Sequence, residues 1–435
     1  MSSPFHVAVV GSGPSGFYAA EALLRSGMPI AVDMFEQLPV PYGLVRYGVA
    51  PDHPKLKLVS LTFDKIAALP GFRFVGGVTI GKDVTIAELR AAYDAVVLAT
   101  GADLSRPLGI PGETLPGSYT AGDFVAWYNG HPDHRDRSFD LSHDVATVIG
   151  HGNVALDVAR VLSKTADELR HTDIAAHALE ALAESRVREV HVVGRGGPAQ
   201  AKFGSKELRD FLCLAQCDAW VDPRELCTTA DASDDPELSE KLSLLHGFAQ
   251  SDSSKPRRCV FRFGLSPLEI RGDRRVAAIR FARHQDATED IACGAVFSSI
   301  GRRTAPIAGV PYDVQRGVHA NVGGRVWTDD EVMPGLYVCG WSKRGPSGTI
   351  GTNRACSLAT AEVIVADLAA RAPPRRAEHP DALLARLRQR VTRLVSFQDW
   401  STIDAAEKHH GSRSGRLREK FVSVSEMIAA LGAVY

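Results

Sequence analysis

The 435-residue sequence is poor in several features that would place it in a familiar class. Its seven cysteines form no C-x-x-C pair and have no metal-ligand spacing, so we expect neither a metal site nor the dithiol of flavoenzymes that reduce disulfides. No apolar run approaches the roughly 18 residues that span a bilayer. The net charge is only −1, which gives no overall attraction to nucleic acid or to an anionic membrane.

What is present is typical of a globular α/β chain. The sequence is 45% hydrophobic and contains 39 glycines, and its length favours two or three domains. The first predicted strand begins at His6, which leaves no room for a signal or transit peptide. We therefore expect a cytoplasmic enzyme.

A glycine-rich dinucleotide fingerprint, GSGPSG at 11–16, stands between a predicted strand and a predicted helix. Gly11 permits the tight turn, Gly13 lets the backbone approach a pyrophosphate, and Gly16 lets the helix pack closely against the strand. Glu36 ends the next predicted strand. A carboxylate there accepts hydrogen bonds from a ribose diol but repels a 2′-phosphate. The site is therefore expected to hold FAD or NAD.

A second fingerprint, GHGNVA at 150–155, has the same context of strand, turn and helix. Its glycines are Gly150 and Gly152, and Ala155 stands where the third glycine is usual. The following strand leads to Arg195 and offers no carboxylate, so the ribose position has a cation that suits the 2′-phosphate of NADP. Two fingerprints with opposite charges at their ribose positions predict electron transfer between FAD and NADP.

The order of the motifs predicts an α/β fold with two Rossmann-like dinucleotide-binding domains, one inserted in the other. Proline and glycine turns mark the points where the chain leaves the first domain and returns to it. We expect a discontinuous FAD-binding domain at 1–105 and 320–435, and an NADP-binding domain at 106–319. This is the architecture of disulfide-reductase-like flavoproteins. Residues 230–258, rich in Ser, Asp and Lys, predict an exposed excursion.

Several longer strings resemble those of the adrenodoxin reductase family of ferredoxin–NADP reductases, over nearly the whole chain. They are FEQLPVPYGLVRYGVAPDHP at 35–54, GNVALD at 152–157, GWSKRGPSGTIGTN at 340–353, SFQDW at 396–400 and REKFVS at 418–423. The resemblance implies that NADPH gives a hydride to FAD. It also implies that the flavin passes single electrons to a 2Fe–2S or similar ferredoxin, which serves an oxygenase or a cytochrome of the P-450 type.

The resemblance also implies the residues at each site. His53 and Asp210 match the active-site histidine and acidic residue of the family, although the acid is usually Glu. If the two meet, they form an ion pair that holds water or the nicotinamide amide in place. The residues implied at FAD are Gly11, Gly13, Ser15, Gly16, Glu36, Leu44, Ile80, Trp341, Gly348, Thr349 and Ile350. Those implied at NADP are Arg106, Gly150, Gly152, Asn153, Val154, Arg195, Glu207 and Gly348.

The ferredoxins of such systems are acidic, so a basic face is expected near the flavin. The predicted face consists of Lys55, Lys57, Lys343 and Arg344, which lie in the resembling strings or directly after one of them. A second group of arginines, between 371 and 393, is interpreted as a solvated helix face. Two other functions stay open. One is a flavin oxidoreductase that acts directly on a small molecule or oxygen, and the other is an NADPH-sensing flavoprotein.

Gly196 generates a prediction about cofactor preference. The family usually places two arginines at the 2′-phosphate, whereas here Arg195 is followed by Gly196. Loss of one charge-assisted contact costs about 1.5 to 3 kcal/mol, or roughly ten- to a hundredfold in preference, and Lys202 or Lys206 can compensate in part. We expect kcat/KM to favour NADPH over NADH by a narrower margin than in relatives. Equal or better use of NADH contradicts this.

Overall fold

The computed structural model describes residues 4–226, 235–250, 254–283, 287–328, 330–370 and 376–432. Its strands are β1 (Phe5–Val10), β2 (Ile30–Glu36), β3 (Phe72–Gly76), β4 (Ala95–Leu98), β5 (Leu104–Ser105), β6 (Ser118–Thr120), β7 (Val145–Ile149), β8 (Glu189–Val193), β9 (Cys217–Val221), β10 (Arg257–Arg262), β11 (Ser266–Arg271), β12 (Ala278–Ala282), β13 (Thr288–Ala292), β14 (Ala295–Ser298), β15 (Arg302–Arg303), β16 (Tyr312–Asp313), β17 (Val318–His319), β18 (Asn321–Val322), β19 (Arg325–Trp327) and β20 (Val332–Val338).

The helices alternate with these strands through most of the chain. They are α1 (Pro14–Leu24), α2 (Leu44–Tyr47), α3 (Pro54–Lys57), α4 (Ser60–Ala67), α5 (Ile86–Ala92), α6 (Ala121–Tyr128), α7 (Asn153–Ser163), α8 (Ala166–Leu169), α9 (Ala176–Ala183), α10 (Ser205–Leu212), α11 (Pro223–Leu226), α12 (Pro236–Ala249), α13 (Trp341–Arg344), α14 (Ile350–Ala369), α15 (Pro380–Arg390), α16 (Phe397–Arg413) and α17 (Val424–Ala430). Within the described ranges, none of them is long and apolar enough to cross a membrane.

Seven of the described strands form the first sheet, in the order β18-β19-β20-β4-β1-β2-β3. The five from β20 to β3 are parallel, and β18 and β19 extend the sheet with antiparallel pairs. All four residues of β4 are buried, as expected for a parallel strand covered on both faces. Phe17 and Ile364 belong to the hydrophobic cluster of one face, and Leu89 and Leu384 to that of the other.

Six other described strands form the second sheet, in the order β6-β14-β7-β8-β10-β9, and all its pairs are parallel. These strands lie between β4 and β18 along the chain, so the second unit interrupts the first. The outgoing and returning segments pair with each other as β5 and β15. In both units the fingerprint follows an inner strand, β1 or β7, at the carboxyl end where α/β folds bind their ligands.

The stretch 230–258 is only partly described, and the prediction that it is an exposed excursion is wrong for the described part. Residues 230–234 and 251–253 lie outside the described residues. Most of the remainder is α12, whose Leu245 and Phe248 are buried in the core of the second unit, where Phe248 stacks on Phe261 of β10. The polar composition belongs to the outer side of an amphipathic helix.

Helix α16, the last but one of the described helices, anchors the segment after β2 through a buried ion pair. Arg46 of α2 donates to Glu407, and both side chains are at most 4% exposed. Glu407 also accepts hydrogen bonds from Arg418 at 3.1 Å and from the Phe421 N–H at 3.0 Å. The Arg46 guanidinium lies 5.2 Å from the ring centroid of Trp400. The residues that follow the first fingerprint are thus held from the far end of the chain.

Glu407→Gln tests this anchor. The substitution leaves the buried Arg46 charge uncompensated, and we expect the free energy of unfolding to fall by about 3 to 5 kcal/mol in chemical denaturation. Lys408, which pairs with Asp404 and is 56% exposed, provides the control, because Lys408→Met removes an exposed cation and leaves Arg46 paired with Glu407, so stability should change by less than about 1 kcal/mol. Equal effects of the two substitutions contradict the prediction.

Candidate functional site

The first fingerprint forms a turn between β1 and α1 with one open position. A Cβ on Gly11, whose φ is +103°, would lie 2.5 Å from the Ala99 carbonyl oxygen, and one on Gly16 would lie 2.0 Å from that of Gly11. A Cβ on Gly13 meets no atom within 4 Å, and no side chain caps α1. Packing therefore requires Gly11 and Gly16, whereas Gly13 leaves an open cradle at a helix N-terminus. A pyrophosphate fits such a cradle.

Glu36 lies beside this turn at the end of β2. Its carboxylate accepts hydrogen bonds from the Ser12 N–H at 3.1 Å, the Ser12 hydroxyl at 2.6 Å and the Leu38 N–H at 3.2 Å. Burial raises the pKa of Glu36, while these hydrogen bonds oppose the shift. The position and the acceptor oxygens fit a ribose diol.

The loop before α2 packs directly on the cradle. The Tyr42 N–H donates to the Ser12 carbonyl at 3.0 Å, and a Cβ on Gly43 would lie 3.2 Å from the Gly13 Cα. Leu44 begins α2 at this point. Tyr42 has a φ of +86°, the one positive value for a non-glycine residue in the described ranges. Backbone strain of this kind persists where the surrounding structure enforces it, commonly at ligand sites.

The returning chain closes the other side of the cradle. A Cβ on Gly340 would lie 1.9 Å from the Ser15 hydroxyl oxygen, and the Trp341 Nε1–H donates to the Ser347 carbonyl at 3.1 Å. Gly348 and Thr349 lie in the exposed turn before α14, and Ile350 begins that helix. Helix α14 packs along α1. The residues that resemblance implied at FAD thus converge here, except Ile80. Ile80 bridges to Val84 beyond β3 and packs on the cluster of the opposite face.

The second fingerprint repeats the open cradle. Gly150 has a φ of +136°, and a Cβ there would lie 2.2 Å from the Ser299 carbonyl oxygen. A Cβ on Gly152 meets no atom within 4 Å. Asn153 begins α7, which has no side-chain cap, and Val154 is 44% exposed. Gly152 therefore leaves room for a second pyrophosphate at a second helix N-terminus.

His151 is a packing residue that the sequence analysis did not identify. Its Nε2 lies 3.3 Å from the Val192 carbonyl oxygen, and its ring contacts Phe203 and Phe263. Burial lowers the pKa of His151 to about 4. The ring also fills the space beside Gly194, where a Cβ would lie 2.3 Å from Nδ1. The neutral imidazole supports the end of β8, where the chain turns toward the second ribose position.

The second ribose position is cationic. Arg195 is exposed just beyond β8, and Lys202 and Lys206 are exposed on the segment that follows. A Cβ on Gly196 would lie 3.0 Å from the Gln200 Cβ, so any side chain there must displace Gln200. The electrostatic contrast with Glu36 is therefore present in the structure.

Of the remaining residues implied at NADP, Asn153, Glu207 and Arg106 lie on segments next to the second cradle, whereas Gly348 does not. The Asn153 Oδ1 accepts a hydrogen bond from the Gly204 N–H at 3.3 Å, and a Cβ on Gly204 would lie 2.7 Å from a Glu207 carboxylate oxygen. Arg106 is tied to the turn after β14, where its N–H donates to the Gly301 carbonyl at 3.0 Å. Gly348 lies in the turn before α14 and packs on Thr352 rather than on these residues.

The structure brings His53 and Asp210 together from 157 positions apart, with 3.0 Å between Nε2 and Oδ2. His53 precedes α3, and Asp210 lies on α10. The other ring nitrogen, Nδ1, lies 4.0 Å from the Asp157 carboxylate on α7. Burial raises the pKa of Asp157. Two carboxylates of the second unit therefore flank one imidazole of the first.

The predicted basic face is only partly at the surface. Lys55 is exposed. Lys57 is not, because its ammonium group is 2.6 and 2.7 Å from the two Asp173 carboxylate oxygens and its side chain is 16% exposed. Lys343 and Arg344 are partly buried and donate hydrogen bonds to neighbouring polar side chains. The inclusion of Lys57 in the basic face is therefore wrong. The sequence motifs could not indicate this, because Asp173 lies 116 positions away.

The arginines between 371 and 393 lie mostly in ion pairs. Arg371 and Arg375 are outside the described residues. Of the other five, four are paired: Arg376 with Asp94, Arg386 with Glu378, Arg390 with Glu88, and Arg393 with Asp399. Arg388 is exposed on α15. A cluster neutralised in this way offers little net charge to a partner.

The cysteines and metal-ligating side chains within the described ranges form no disulfide and no metal site. The six cysteines there are free thiols, and Cys227 lies outside them. No group of three or more His, Cys, Asp or Glu in these ranges could hold a metal ion.

Comparison with known proteins decides the family. A family model described as pyridine nucleotide-disulphide oxidoreductase matches residues 5–195. The chain is 43% identical to the NADPH-ferredoxin reductase FprA of Mycobacterium tuberculosis, over 98% of each protein. It is 41% identical to the mitochondrial NADPH:adrenodoxin oxidoreductase of Bos taurus, over 98% of this chain and 92% of that protein. The chain belongs to the ferredoxin and adrenodoxin reductase family.

A solved structure of the same family supports the fold. The structure of Mycobacterium tuberculosis FprA in complex with NADPH has a TM-score of 0.93 to this chain at 42% identity, over 99% of this chain and 100% of the other. The predicted family and the predicted α/β flavoprotein fold class are both confirmed.

Gly152→Val tests the second cradle of this reductase. The side chain fits the protein but fills the space for a pyrophosphate, so we expect the Kd for NADP⁺ to rise at least about tenfold, as for loss of a charge-assisted contact. Flavin content should not change. Gly247 of α12 also has nothing within 4 Å of a Cβ, and Gly247→Val is the matched control. Unchanged NADP⁺ affinity in Gly152→Val, measured by calorimetry, contradicts the assignment.

Proposed function

We propose that this protein is an FAD-dependent ferredoxin–NADP reductase. The observation that carries the proposal is the pair of open cradles in one chain, with an acidic residue, Glu36, beside the first and a basic residue, Arg195, beside the second. When bound, FAD accepts two electrons from NADPH and releases them one at a time to a single-electron acceptor. Both cofactors belong to the family in which the sequence comparisons place this chain.

The presence of two separate sheets supports the assignment of one cofactor to each unit. We assign FAD to residues 1–105 and 320–435, and NADP to residues 106–319. Gly13 and Glu36 hold the pyrophosphate and ribose of FAD, and the other proposed FAD contacts surround that cradle. Gly152 and Arg195 hold the pyrophosphate and 2′-phosphate of NADP. The acidic residue excludes the 2′-phosphate from the first site, so each cofactor has one site.

His53 and Asp210 act in this proposal as an orienting pair. Hydride transfer needs no general base, so the pair has no proton to remove from the substrate. The 3.0 Å contact joins the first unit to the second and fixes the imidazole beside α7, the helix that begins at the second cradle. Its role is to hold water or the nicotinamide amide in one position.

The proposed partner is an acidic iron–sulfur ferredoxin that serves an oxygenase. The names of the relatives support a ferredoxin acceptor. Lys55 is the exposed member of the basic face, and Lys343 and Arg344 flank it in the proposal. With a net charge of −1, any attraction to such a partner must come from local patches. A cytoplasmic location belongs to the same proposal.

Stopped-flow mixing tests the function. We expect fast bleaching of the flavin by NADPH, followed by fast reoxidation when a 2Fe–2S ferredoxin is added. The reason is that NADPH gives two electrons together, whereas a flavin can release them one at a time. Rapid NADPH-dependent turnover with oxygen or a small quinone, without ferredoxin, favours the direct oxidoreductase. Slow turnover with every acceptor favours an NADPH sensor.

The salt dependence of ferredoxin reduction tests the docking surface. We expect the second-order rate constant to fall as ionic strength rises, because the Debye length shortens from about 30 Å at 0.01 M to about 10 Å at 0.1 M. Lys55→Ala should lower the rate constant at low salt, whereas Lys82→Ala, at an exposed lysine between β3 and α5, should not. A rate that is insensitive to salt rules out this mode of docking.

A further inference from the structure

The segment 51–57 leaves the first unit and pairs with the second at its two ends. At one end, the Asp52 carboxylate accepts hydrogen bonds from Arg160 Nε at 2.7 Å and Nη2 at 2.9 Å, and Lys164 Nζ lies 2.8 Å away. The side chains of Asp52 and Arg160 are 5% and 1% exposed. Burial would raise the pKa of Asp52, but the two cations hold it below its usual range.

At the other end, Lys57 donates to both oxygens of Asp173 and to the Asn129 Oδ1 at 3.3 Å. Lys420, from the C-terminal part of the chain, lies 3.0 Å from the same carboxylate and donates to the Asn129 carbonyl at 3.1 Å. Three distant parts of the chain therefore meet at Asp173.

His53 lies between these two pairs. On one side, Arg160 and Asp157 are a turn apart on α7 and bond to each other at 2.7 Å, so the helix that binds Asp52 also presents Asp157 to the imidazole. On the other side is Asp210. The position of His53 relative to both carboxylates thus depends on how the segment is held.

Covalent structure contributes little to the orientation of the two sheets. The chain passes between them twice, and those two crossings pair as the two-residue strands β5 and β15. Such a short ribbon permits rotation, since hinge motion needs only a few connecting residues. Non-covalent contacts must therefore set the angle between the sheets.

We propose that Asp52 and Lys57, with Arg160 and Asp173, form an interdomain latch that positions the two nucleotide sites for hydride transfer. This inference rests on the proposed function. Asp52 and Lys57 are positioning residues, because they act through the placement of His53 and of the second sheet. Breaking a buried, bidentate pair leaves an uncompensated buried charge, so one arrangement of the two sheets is strongly favoured.

The latch is tested in the FAD-loaded protein with Asp52→Asn and Lys57→Met. Lys57→Met leaves Asp173 paired with Lys420, so this variant should fold and can be measured even if Asp52→Asn is unstable. We expect faster hydrogen exchange of residues 50–58 in both variants. We also expect flavin reduction by saturating NADPH to be slowed roughly ten- to a hundredfold, with the Kd for NADPH changed less than about threefold, as for misplacement of about 1 Å.

Glu225→Gln is the matched control. Glu225 is buried and pairs with Arg262 and Arg283 inside the second unit, so its substitution removes a buried ion pair without touching the latch. We expect lower stability, with normal flavin reduction and normal exchange of residues 50–58.

Two outcomes overturn the latch. One is unchanged exchange and unchanged reduction in both variants, and the other is equal slowing in Glu225→Gln. If NADPH fails to reduce the flavin of the unmodified protein, the proposed function fails, and hydrogen exchange alone still decides whether the segment is held by these pairs.

Discussion

The buried ion pairs between the segment 51–57 and the second unit are the contacts on which the arrangement of this protein depends. Each unit has its own parallel sheet and its own core, and only the ribbon of β5 and β15 joins them covalently. Asp52 and Lys57 hold the two nucleotide-binding units against each other, because each pairs with a buried partner across the boundary. His53 reaches Asp210 as a consequence.

The two nucleotide sites use the same backbone device and differ in charge. Gly13 and Gly152 leave the same open space at a helix N-terminus, and this space recognises a pyrophosphate without regard to which dinucleotide carries it. The sites distinguish the two dinucleotides at the strand ends, where Glu36 favours a ribose diol and Arg195 favours a phosphate. The two side chains therefore set which dinucleotide each site prefers, while the open backbone space is common to both.

The sequence predicted the environment of each cradle better than the surface around it. Lys57 is predicted in the basic face because it lies beside a string that resembles the family, and nothing local indicates Asp173 as its partner. Leu245 and Phe248 stand in a polar stretch, but their spacing of three residues is that of one helix face, and both lie in the core of the second unit. His151 gave no signal, since the position between two glycines tolerates many side chains and only the neighbouring rings show that it packs.

The sequence by itself determined the two fingerprints, the charge at each ribose position and the α/β class, because each depends on a strand, a turn and a helix within a few tens of residues. Tertiary structure alone decided that His53 meets Asp210 and that Lys57 pairs with Asp173 instead of facing solvent. These contacts join residues more than 100 positions apart, and each pairs a residue of the first unit with one of the second, so no local pattern of strand, turn and helix specifies them.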